Sequence, residues 1–399
     1  MPNLKILIIP SWYPTPQKPL RGSFFQEQAN FLQGKEGLDL RVLYGEKKSF
    51  TLIRWVWLFL KSLLKSDWPI SASKIQQGPV AFGFNLPVNR RIPDRLQRFF
   101  EMQLYQKSFQ NFIGFNWVPN LIHAQSGMDA GIYAHDISKI HKIPFVILEH
   151  QVFVFHYYSR IRAKLILHAF EVAIKTAAVS FDERRQVLMN QPNCNPEVIW
   201  NFVDETKYQI RLEDRKKVFT IITILNSFPI KGFDTFLEGI AELMKITQDF
   251  KFIMIGKGAD EDSNDSASNI FIRKSKELGI YNYGIFEPFI ERAQISSILN
   301  TSHVFVSPTI QEPHGIAIRE AMMCGLPIVS TANGGSEDSV NKEVGLVVPV
   351  KDSKALANAI FHIKSNYSKY SPETIRKLAV NQCGRNSFLK KMISFYKIS

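Results

Sequence analysis

The sequence predicts an α/β protein made of two doubly wound, Rossmann-like domains. Its 399 residues exceed the length of one typical domain and suit two domains of about 200 residues each. Short, continuous apolar runs recur along the chain, as expected of strands buried on both faces of a parallel sheet. A charged and polar stretch from Thr206 to Lys217 reads as a linker, so we expect domains at residues 1–205 and 206–385.

The first predicted strand, Leu4 to Ile9, leads into a proline-rich loop and then into a helix that begins near Ser23. In open α/β sheets the ligand crevice lies beyond the carboxyl ends of the strands, and this loop leaves the strand at that end. Gly22 would let the backbone approach a ligand closely, although an ordinary turn glycine explains it equally well. Gly22 and Ser23 are therefore candidate binding residues.

Two further predicted strands of the first half end in polar side chains. One runs through Leu121 and His123 to Gln125, and the other runs from Ile143 to His150. A lone histidine is usually structural, but a histidine at the end of a buried strand faces the ligand side in this topology. His150, the last residue of its predicted strand, is therefore a candidate site residue.

In the second half, the stretch from His303 to Gly335 predicts a strand, a loop, a helix and another strand that ends in a Gly-Gly turn. Backbone amides at the start of that helix would bind a phosphate, because they lack carbonyl partners and lie at the positive end of the helix dipole. These amides belong to His314, Gly315, Ile316 and Ala317.

Two glutamates, Glu312 and Glu320, flank this predicted anion site. Carboxylates accept hydrogen bonds from hydroxyl groups, so a phosphate between two polyols, as in a nucleotide sugar, would fit. The alternative is that both glutamates are ordinary solvated acids.

A lysine follows an earlier strand of the second half in the same way. The strand Val218 to Leu225 is followed by a loop with Asn226, Lys231 and Gly232, and a helix begins at Phe233. Lys231 can act as a point charge for a phosphate, or it can be a plain exposed lysine.

A later strand ends at Gly256, but no Gly-x-Gly-x-x-Gly pattern indicates a dinucleotide site. The acidic run Asp260–Asp265 reads as a solvated loop, and we expect no metal or other cofactor.

Taken together, Glu-x7-Glu, the run Ala-Met-x-Cys-Gly-x-Pro-Ile-Val-Ser-Thr and the Gly-Gly turn resemble the signature of glycosyltransferase family 4. The resemblance implies the GT-B fold, with the two domains facing a cleft and the C-terminal helix, residues 386–399, packing on the first domain. It also implies a metal-independent, retaining, hexosyl-type enzyme that binds its acceptor on the first domain and a nucleotide-sugar donor on the second.

The resemblance also implies roles for individual residues. Glu312 would bind the hydroxyls of the donor sugar, Glu320 the ribose and Lys231 the diphosphate, while His150 would orient the sugar or stabilise charge. The loop with Gly22 and Ser23 corresponds to the acceptor side of the family. Asn226, Gly232, Gly256 and the four amides from His314 to Ala317 would line the donor site.

Three positions depart from the family pattern: Asn226 stands where the family has an arginine, Gln125 replaces a histidine and Phe202 replaces a glycine. Two alternatives stay open. One is a GT-B sugar-nucleotide epimerase, and the other is a membrane-bound subunit that binds a sugar nucleotide without turnover.

The composition limits where the chain can act. No apolar run reaches the ~18 residues that a transmembrane helix needs, and the N-terminus reads as a core strand rather than a signal peptide. The three cysteines, Cys194, Cys324 and Cys383, have neither metal-ligand nor disulfide spacing. We therefore expect a cytoplasmic protein.

Positive charge is concentrated in one region. Between Lys47 and Lys107 there are 11 Lys/Arg and 3 Asp/Glu, so this region supplies most of the net charge of +13. The segment 51–66 is rich in Leu, Trp and Phe, with Arg54, Lys61 and Lys65 on one helical face.

The composition of segment 51–66 predicts either a helix that lies in a membrane interface or an amphipathic helix packed on the core of the protein. The nearby arginines Arg90, Arg91, Arg95 and Arg98 favour the membrane, with anionic lipid as the partner. Nucleic acid is the other anionic partner, but no recognised binding motif accompanies the charge. We expect a peripheral protein on the cytoplasmic face of the inner membrane, with a lipid-linked acceptor for cell-surface polysaccharide.

Overall fold

The computed structural model describes residues 4–74, 78–114, 116–256, 270–287 and 290–397. The chain forms two compact units, which we call the first unit (Met1–Phe202 with Leu389–Ser399) and the second unit (Val203–Phe388). The acidic run Asp260–Asp265 lies outside the described residues.

The first unit contains an eight-stranded sheet with the order β3-β4-β2-β1-β5-β6-β7-β8. All neighbours pair in parallel except β3 and β4, which form an antiparallel edge. The strands are β1 Leu4–Pro10, β2 Leu38–Ser49, β3 Ser71–Lys74, β4 Val80–Val88, β5 Leu121–Gln125, β6 Phe145–Glu149, β7 Lys175–Ala178 and β8 Glu197–Val198.

Six helices follow these strands in the first unit, and a π-helical turn, Gly127–Gly131, precedes the fourth. They are α1 Ser23–Leu32, α2 Leu52–Leu64, α3 Asp94–Ile113, α4 Ile132–His141, α5 Arg160–Val172 and α6 Phe181–Asn190. Hydroxyl caps start several of them: the Ser180 side chain accepts a hydrogen bond from the Glu183 amide at 3.0 Å, and Thr51 and Ser159 act in the same way.

The second unit contains a six-stranded parallel sheet with the order β11-β10-β9-β12-β13-β14. Its strands are β9 Thr220–Ile224, β10 Lys251–Ile255, β11 Gly284–Glu287, β12 Val304–Ser307, β13 Ile328–Thr331 and β14 Gly345–Val348. Its helices are α7 Phe233–Ile246, α8 Ile270–Glu277, α9 Ile295–Asn300, α10 Ile316–Met323, α11 Ser353–Ser365 and α12 Pro372–Cys383.

The last helix, α13 Arg385–Tyr396, ends in the first unit. There the Tyr396 hydroxyl lies 2.8 Å from Nδ1 of His123 on β5, and both side chains are buried. Residues 389–396 of this helix therefore belong to the first unit.

The strands predicted from continuous apolar runs are present, including β1, β5, β6, β9, β12 and β13. The edge strand β14 pairs in parallel with β13 from Ile328 to Thr331.

In each sheet, successive strands of the chain are added first towards one edge and then towards the other. In the first unit the chain builds outward from β1 through β2 to one edge and from β5 to the other, so the reversal lies between β1 and β5. In the second unit the reversal lies between β9 and β12. In open parallel sheets ligands bind beyond the carboxyl ends of the strands at such switch points. The fold alone thus indicates one candidate site in each unit.

Candidate functional site

The switch point of the second unit brings together Lys231 and Glu312. Lys231 follows β9 and Glu312 follows β12, and these strands are neighbours in the sheet. Their side chains form an ion pair, with Nζ of Lys231 2.8 Å from Oε2 of Glu312, and both are partly exposed. The two predicted residues thus lie at the position where a parallel sheet binds its ligand.

Backbone hydrogen bonds fix the position of Glu312. Its amide donates to the carbonyl of Asn333 at 3.0 Å, and its carbonyl accepts from the Gly335 amide at 2.8 Å. The other side-chain oxygen, Oε1, accepts a hydrogen bond from the Gly315 amide at 3.3 Å. The loops after β12 and β13 therefore hold this carboxylate at the start of α10.

Helix α10 supplies backbone amides at the same point. Gly315, in the left-handed conformation, precedes its first residue Ile316. The amides of Ile316 and Ala317 belong to the first turn of the helix, where no helical carbonyl can accept from them. This end of a helix carries partial positive charge and suits an anion. The predicted amide group is thus present beside the Lys231–Glu312 pair.

A buried arginine is hydrogen-bonded to this loop. The Arg319 guanidinium is fully buried and donates to the carbonyls of His314, Gly315 and Gly335. Burial lowers the pKa of Arg319. Because each carbonyl belongs to the segments that carry Glu312 or follow β13, this side chain joins the loop segments around the candidate site.

Glu320 already has partners within the second unit. Its carboxylate accepts a hydrogen bond from the Tyr208 hydroxyl at 2.7 Å and lies 3.0 Å from the Arg292 guanidinium. The side chain is almost completely buried. The structure therefore places Glu320 in a polar cluster of its own within the second unit.

The glycine of the Lys231 loop is required by a close approach. Gly232 has φ +70°, and a Cβ added there would lie 2.0 Å from the carbonyl oxygen of Pro308 in the β12 loop. Any side chain would push the two loops apart and would also be strained at this φ. Gly232 thus keeps Lys231 close to Glu312.

Two other predicted donor-site residues have structural contacts. The Asn226 side chain accepts a hydrogen bond from the Phe228 amide at 3.1 Å, so it stabilises the turn of its own loop. Gly256 follows β10, and its amide donates to the carbonyl of Glu287 at 2.9 Å. The side chain of His314, in the loop before α10, is buried.

The remaining predicted residues lie in the first unit, where Gly22 and Ser23 come after β1 and His150 comes directly after β6. Gly22 has φ +74° and immediately precedes α1, where a Cβ would lie 2.8 Å from the Trp12 carbonyl oxygen. Ser23 is the first residue of the helix. Phe25 of the same helix packs edge-on against the His150 ring at 4.8 Å. The structure thus brings His150 to the start of the helix that Gly22 precedes.

The environment of His150 keeps its ring neutral. Burial lowers its pKa to about 3, with a smaller lowering from His123 and an opposing effect of Asn201. The preceding residue, Glu149, is fully buried and accepts four hydrogen bonds. Burial raises the pKa of Glu149, whereas these donors lower it.

His123 differs from the expectation for a strand-end histidine. Its side chain is fully buried against α13, where its ring contacts Tyr396, and burial lowers its pKa to about 3. Residue 125, two positions later, contacts Gln28 of α1 instead: the Gln125 amide donates to Gln28 Oε1 at 3.3 Å. The His123 ring therefore packs against Tyr396 of α13.

Helix α2 presents a large apolar surface. Trp55 and Ser62 are buried, but Ile53 and Leu64 are 85% and 89% exposed. Five more apolar side chains of this helix are exposed: Leu52, Val56, Trp57, Leu60 and Leu63. We call these seven side chains the α2 apolar surface. Arg54 and Lys61 lie over the Trp57 ring, at 4.9 and 4.8 Å from its centre.

The basic residues near α2 do not all reach the surface. Arg90, Arg91 and Arg95 are exposed, but Arg98 is buried, paired with Asp136, and lies over the Tyr133 ring. The expectation that Arg98 belongs to the basic surface is wrong, because position 98 faces α4 rather than solvent. No helix in the described part of the chain is long and apolar enough to cross a membrane.

Several residues that build the sites were not predicted from sequence. They are Arg319, Tyr208, Arg292, Glu149 and Gln28. For Arg319 a signal existed, since it is a charged residue within the apolar run Ile316–Met323. The partners of Glu320 lie 112 and 28 positions away, and only the fold brings them together.

Comparison with known proteins shows that the chain is similar to glycosyltransferases. Residues 204–378 match the family model "Glycosyl transferases group 1". The chain is 25% identical over 377 residues to the putative teichuronic acid biosynthesis glycosyltransferase TuaC of Bacillus subtilis, covering 90% of this chain and 88% of the relative.

Two solved structures resemble the whole chain. Sucrose-phosphate synthase from Thermosynechococcus elongatus matches with a TM-score of 0.76 at 16% identity, covering 98% of both chains. Anabaena HepE, solved with UDP-glucose, matches with a TM-score of 0.71 at 18% identity, covering 98% of this chain and 99% of its own. The chain thus has the GT-B fold of glycosyltransferases, and its second unit carries the match to the group 1 glycosyl transferases.

Proposed function

We propose that this protein is a glycosyltransferase that moves a sugar from a nucleoside-diphosphate sugar to a hydroxyl acceptor. The observation that carries the proposal is the Lys231–Glu312 pair, 2.8 Å apart at the start of α10 and at the switch point of the second unit. A cation, a helix N-terminus and a carboxylate together match a ligand that has both phosphates and hydroxyls.

In this proposal Lys231 and the amides of Gly315, Ile316 and Ala317 bind the diphosphate. When the bond between the sugar carbon and the phosphate oxygen breaks, the nucleoside diphosphate leaves with the electron pair. Fixed donors and a lysine stabilise that charge without a metal ion. The acceptor oxygen forms the new bond to the sugar carbon, and its proton passes to the departing phosphate. Retention of configuration is proposed from the family resemblance.

Glu312 has two successive partners in this scheme. In the absence of donor, the Glu312 carboxylate pairs with Lys231. When the donor binds, its diphosphate replaces Glu312 as the partner of Lys231. The carboxylate is thereby released to accept hydrogen bonds from hydroxyls of the donor sugar. Asn226, Gly232, Gly256 and His314 would contribute backbone and loop contacts to the donor.

Glu320 would bind the ribose of the donor by exchanging one of its present partners, Tyr208 or Arg292, for a ribose hydroxyl. His150 would orient the donor sugar as a neutral ring, since burial lowers its pKa to about 3. Gly22 and Ser23 would lie on the acceptor side, at the start of α1.

We further propose that the acceptor is lipid-linked and belongs to cell-surface polysaccharide synthesis. TuaC of Bacillus subtilis is named for teichuronic acid biosynthesis, and it aligns along most of the chain. The α2 apolar surface, with Arg54 and Lys61 beside Trp57, has the composition of a helix that lies in an anionic membrane interface. The protein would then act as a peripheral protein on the cytoplasmic face of the inner membrane.

The test is nucleotide release from a panel of nucleotide sugars, with membrane lipid extract as the source of acceptor. We expect release that depends on the extract in the wild type and falls by more than tenfold in Glu312→Ala. Glu291→Ala, on an exposed residue of the same unit, is the matched control. Equal release from wild type and Glu312→Ala contradicts the role of Glu312. Release without sugar transfer favours an epimerase, and tight donor binding without release favours a non-catalytic binding subunit.

A further inference from the structure

The first unit contains a cavity of about 740 Å³ that none of the predicted site residues lines. Its walls come from the loop after β1, from α1, from the end of β2 and from the β3–β4 edge. We infer that this cavity binds a neutral saccharide, the glycan part of the acceptor. The inference rests on the proposed function, because it assigns a place to the acceptor of the same reaction.

The size and rigidity of the cavity suit a small ligand. Its volume lies within the ~300–1,000 Å³ typical of small-molecule sites. Five prolines stand in its walls: Pro14, Pro16, Pro19, Pro69 and Pro79. Because proline fixes its own backbone torsion, these segments lose little freedom on binding, and the cavity is preformed.

The charge of the walls selects a neutral ligand over a phosphate. Among the described residues that line the cavity, Glu46 and Lys48 carry the charge, and they neutralise each other at 3.0 Å. A nucleotide would find neither an unpaired cation here nor a cluster of amides like that at α10. The cavity therefore differs in chemistry from the donor site of the second unit.

The polar groups of the walls match sugar hydroxyls. Gln26 and Asn30 of α1 and Asn85 of β4 carry side-chain amides, which can both donate and accept hydrogen bonds. A sugar hydroxyl also does both, so each amide can bind an adjacent hydroxyl pair.

Two tyrosines add apolar area with a polar edge. The rings of Tyr13 and Tyr44 lie 5.1 Å apart in the cavity wall. Burial raises the pKa of both phenols, so they stay neutral and can donate hydrogen bonds. A ring face for the apolar side of a sugar and a hydroxyl for its polar edge are thus available together.

The position of the cavity connects it with the acceptor side. Tyr13 lies on the loop that runs from β1 to Gly22, and Gln26 lies on α1 close behind it. The same helix contacts the His150 ring through Phe25. A saccharide in the cavity would therefore be held by the loop and helix that also form the proposed acceptor side.

Saturation-transfer difference NMR on the full chain tests the inference. The probes are neutral mono-, di- and trisaccharides of glucose, galactose, mannose and N-acetylglucosamine, in the absence of any nucleotide. Ser71→Trp places a large ring in the cavity from the exposed edge strand β3. Ser66→Trp is the matched control, since Ser66 is exposed and does not line the cavity.

We expect saturation transfer to at least one saccharide, at least fivefold weaker in Ser71→Trp and unchanged in Ser66→Trp and Glu312→Ala. If Ser71→Trp fails to fold, Asn30→Ala gives the same comparison with a smaller change. Absence of transfer to every saccharide, or full transfer in the cavity variants, overturns the inference. Loss in Glu312→Ala also overturns it, because the sugar would then occupy the donor site. Failure of the proposed function is seen separately, as absence of nucleotide release.

Discussion

Nζ of Lys231 lies 2.8 Å from Oε2 of Glu312, although the two residues are 81 positions apart in the chain. The pair joins the loops that follow β9 and β12, the two strands at which the sheet reverses. A diphosphate that binds Lys231 must therefore first compete with an internal carboxylate. Under the proposed function, the ion pair would set both the affinity for the nucleotide and the step at which the Glu312 carboxylate becomes available to the donor sugar.

Glu312→Gln should strengthen the binding of free UDP while it weakens transfer. Removing the carboxylate charge frees Lys231, and a partly exposed ion pair is worth about 1 kcal/mol, which corresponds to about fivefold tighter binding. Isothermal titration calorimetry with UDP measures this change. The companion variant Lys231→Met should bind UDP on the order of tenfold more weakly, because it loses a charge-assisted contact. Weaker UDP binding by Glu312→Gln would mean that the carboxylate positions Lys231 rather than competing for it.

The sequence indicates Lys231 and Glu312 separately but not their contact. Each follows a continuous apolar run, and such runs predict strands because both faces of a parallel sheet are buried. The distance between the two residues depends on strand order, which places β9 beside β12. Local patterns contain no information on that order, so only the family resemblance connected the two residues.

Other features depend on long-range packing and were therefore missed. The Tyr396 contact with His123 joins residues 273 positions apart. Arg98 looked like a surface arginine within a basic cluster, but its position on α3 buries it against Asp136. Charged and aromatic residues alternate in the sequence near α2. This alternation does not show which positions are buried, because α3 carries polar side chains on its buried face as well as on its exposed face.

Arg319→Met should destabilise the second unit more than a typical substitution does. The variant leaves the carbonyls of His314 and Gly335 without their side-chain donor, whereas the Gly315 carbonyl keeps the amides of Ile318 and Arg319 as donors. An unsatisfied buried polar group costs about 1–3 kcal/mol, so a total loss of about 2–4 kcal/mol in the free energy of unfolding is expected. Urea unfolding followed by fluorescence measures it.

Lys342→Met is the control for Arg319→Met, because Lys342 is exposed in the same unit. It should change the free energy of unfolding by less than about 0.5 kcal/mol. An Arg319→Met protein as stable as this control would show that the carbonyls of His314 and Gly335 find other donors. Glu312 would then keep its place without Arg319.

Acid should destabilise the first unit through His123 and His150. Both have pKa values of about 3 in the folded protein and 6.5 as the ordinary value, so between these values the unfolded chain binds more protons. The free energy of unfolding is therefore unaffected by them above pH 6.5 and falls as the pH decreases towards 3, by about 1.4 kcal/mol per pH unit for each histidine. Urea unfolding at pH 7.0, 6.0 and 5.0 measures the slope.

His150→Phe should reduce that slope by the contribution of one histidine, while it keeps a ring against Phe25. A slope that is the same in His150→Phe and in the wild type would show that folding does not lower the pKa of His150.

Binding to anionic vesicles should depend on both the charge and the apolar area of α2. Replacing Arg54, Lys61 and Lys65 by Glu reverses three charges, and each basic residue near an anionic surface contributes about 1 kcal/mol. The bound fraction in vesicle flotation should fall by more than tenfold. Replacing Ile53, Leu60 and Leu64 by Ser should lower it similarly, because these side chains are exposed and would enter the lipid.

Matched substitutions elsewhere in the first unit separate this effect from net charge. Lys139→Glu with Lys164→Glu changes two exposed lysines on α4 and α5, and Ile140→Ser removes an exposed isoleucine of α4. If α2 is the membrane contact, these variants should bind vesicles nearly as well as the wild type. Equal losses in both sets would mean that flotation reports overall charge. Unchanged binding after the α2 substitutions would exclude the helix, and the exposed apolar residues would then need a protein partner to cover them.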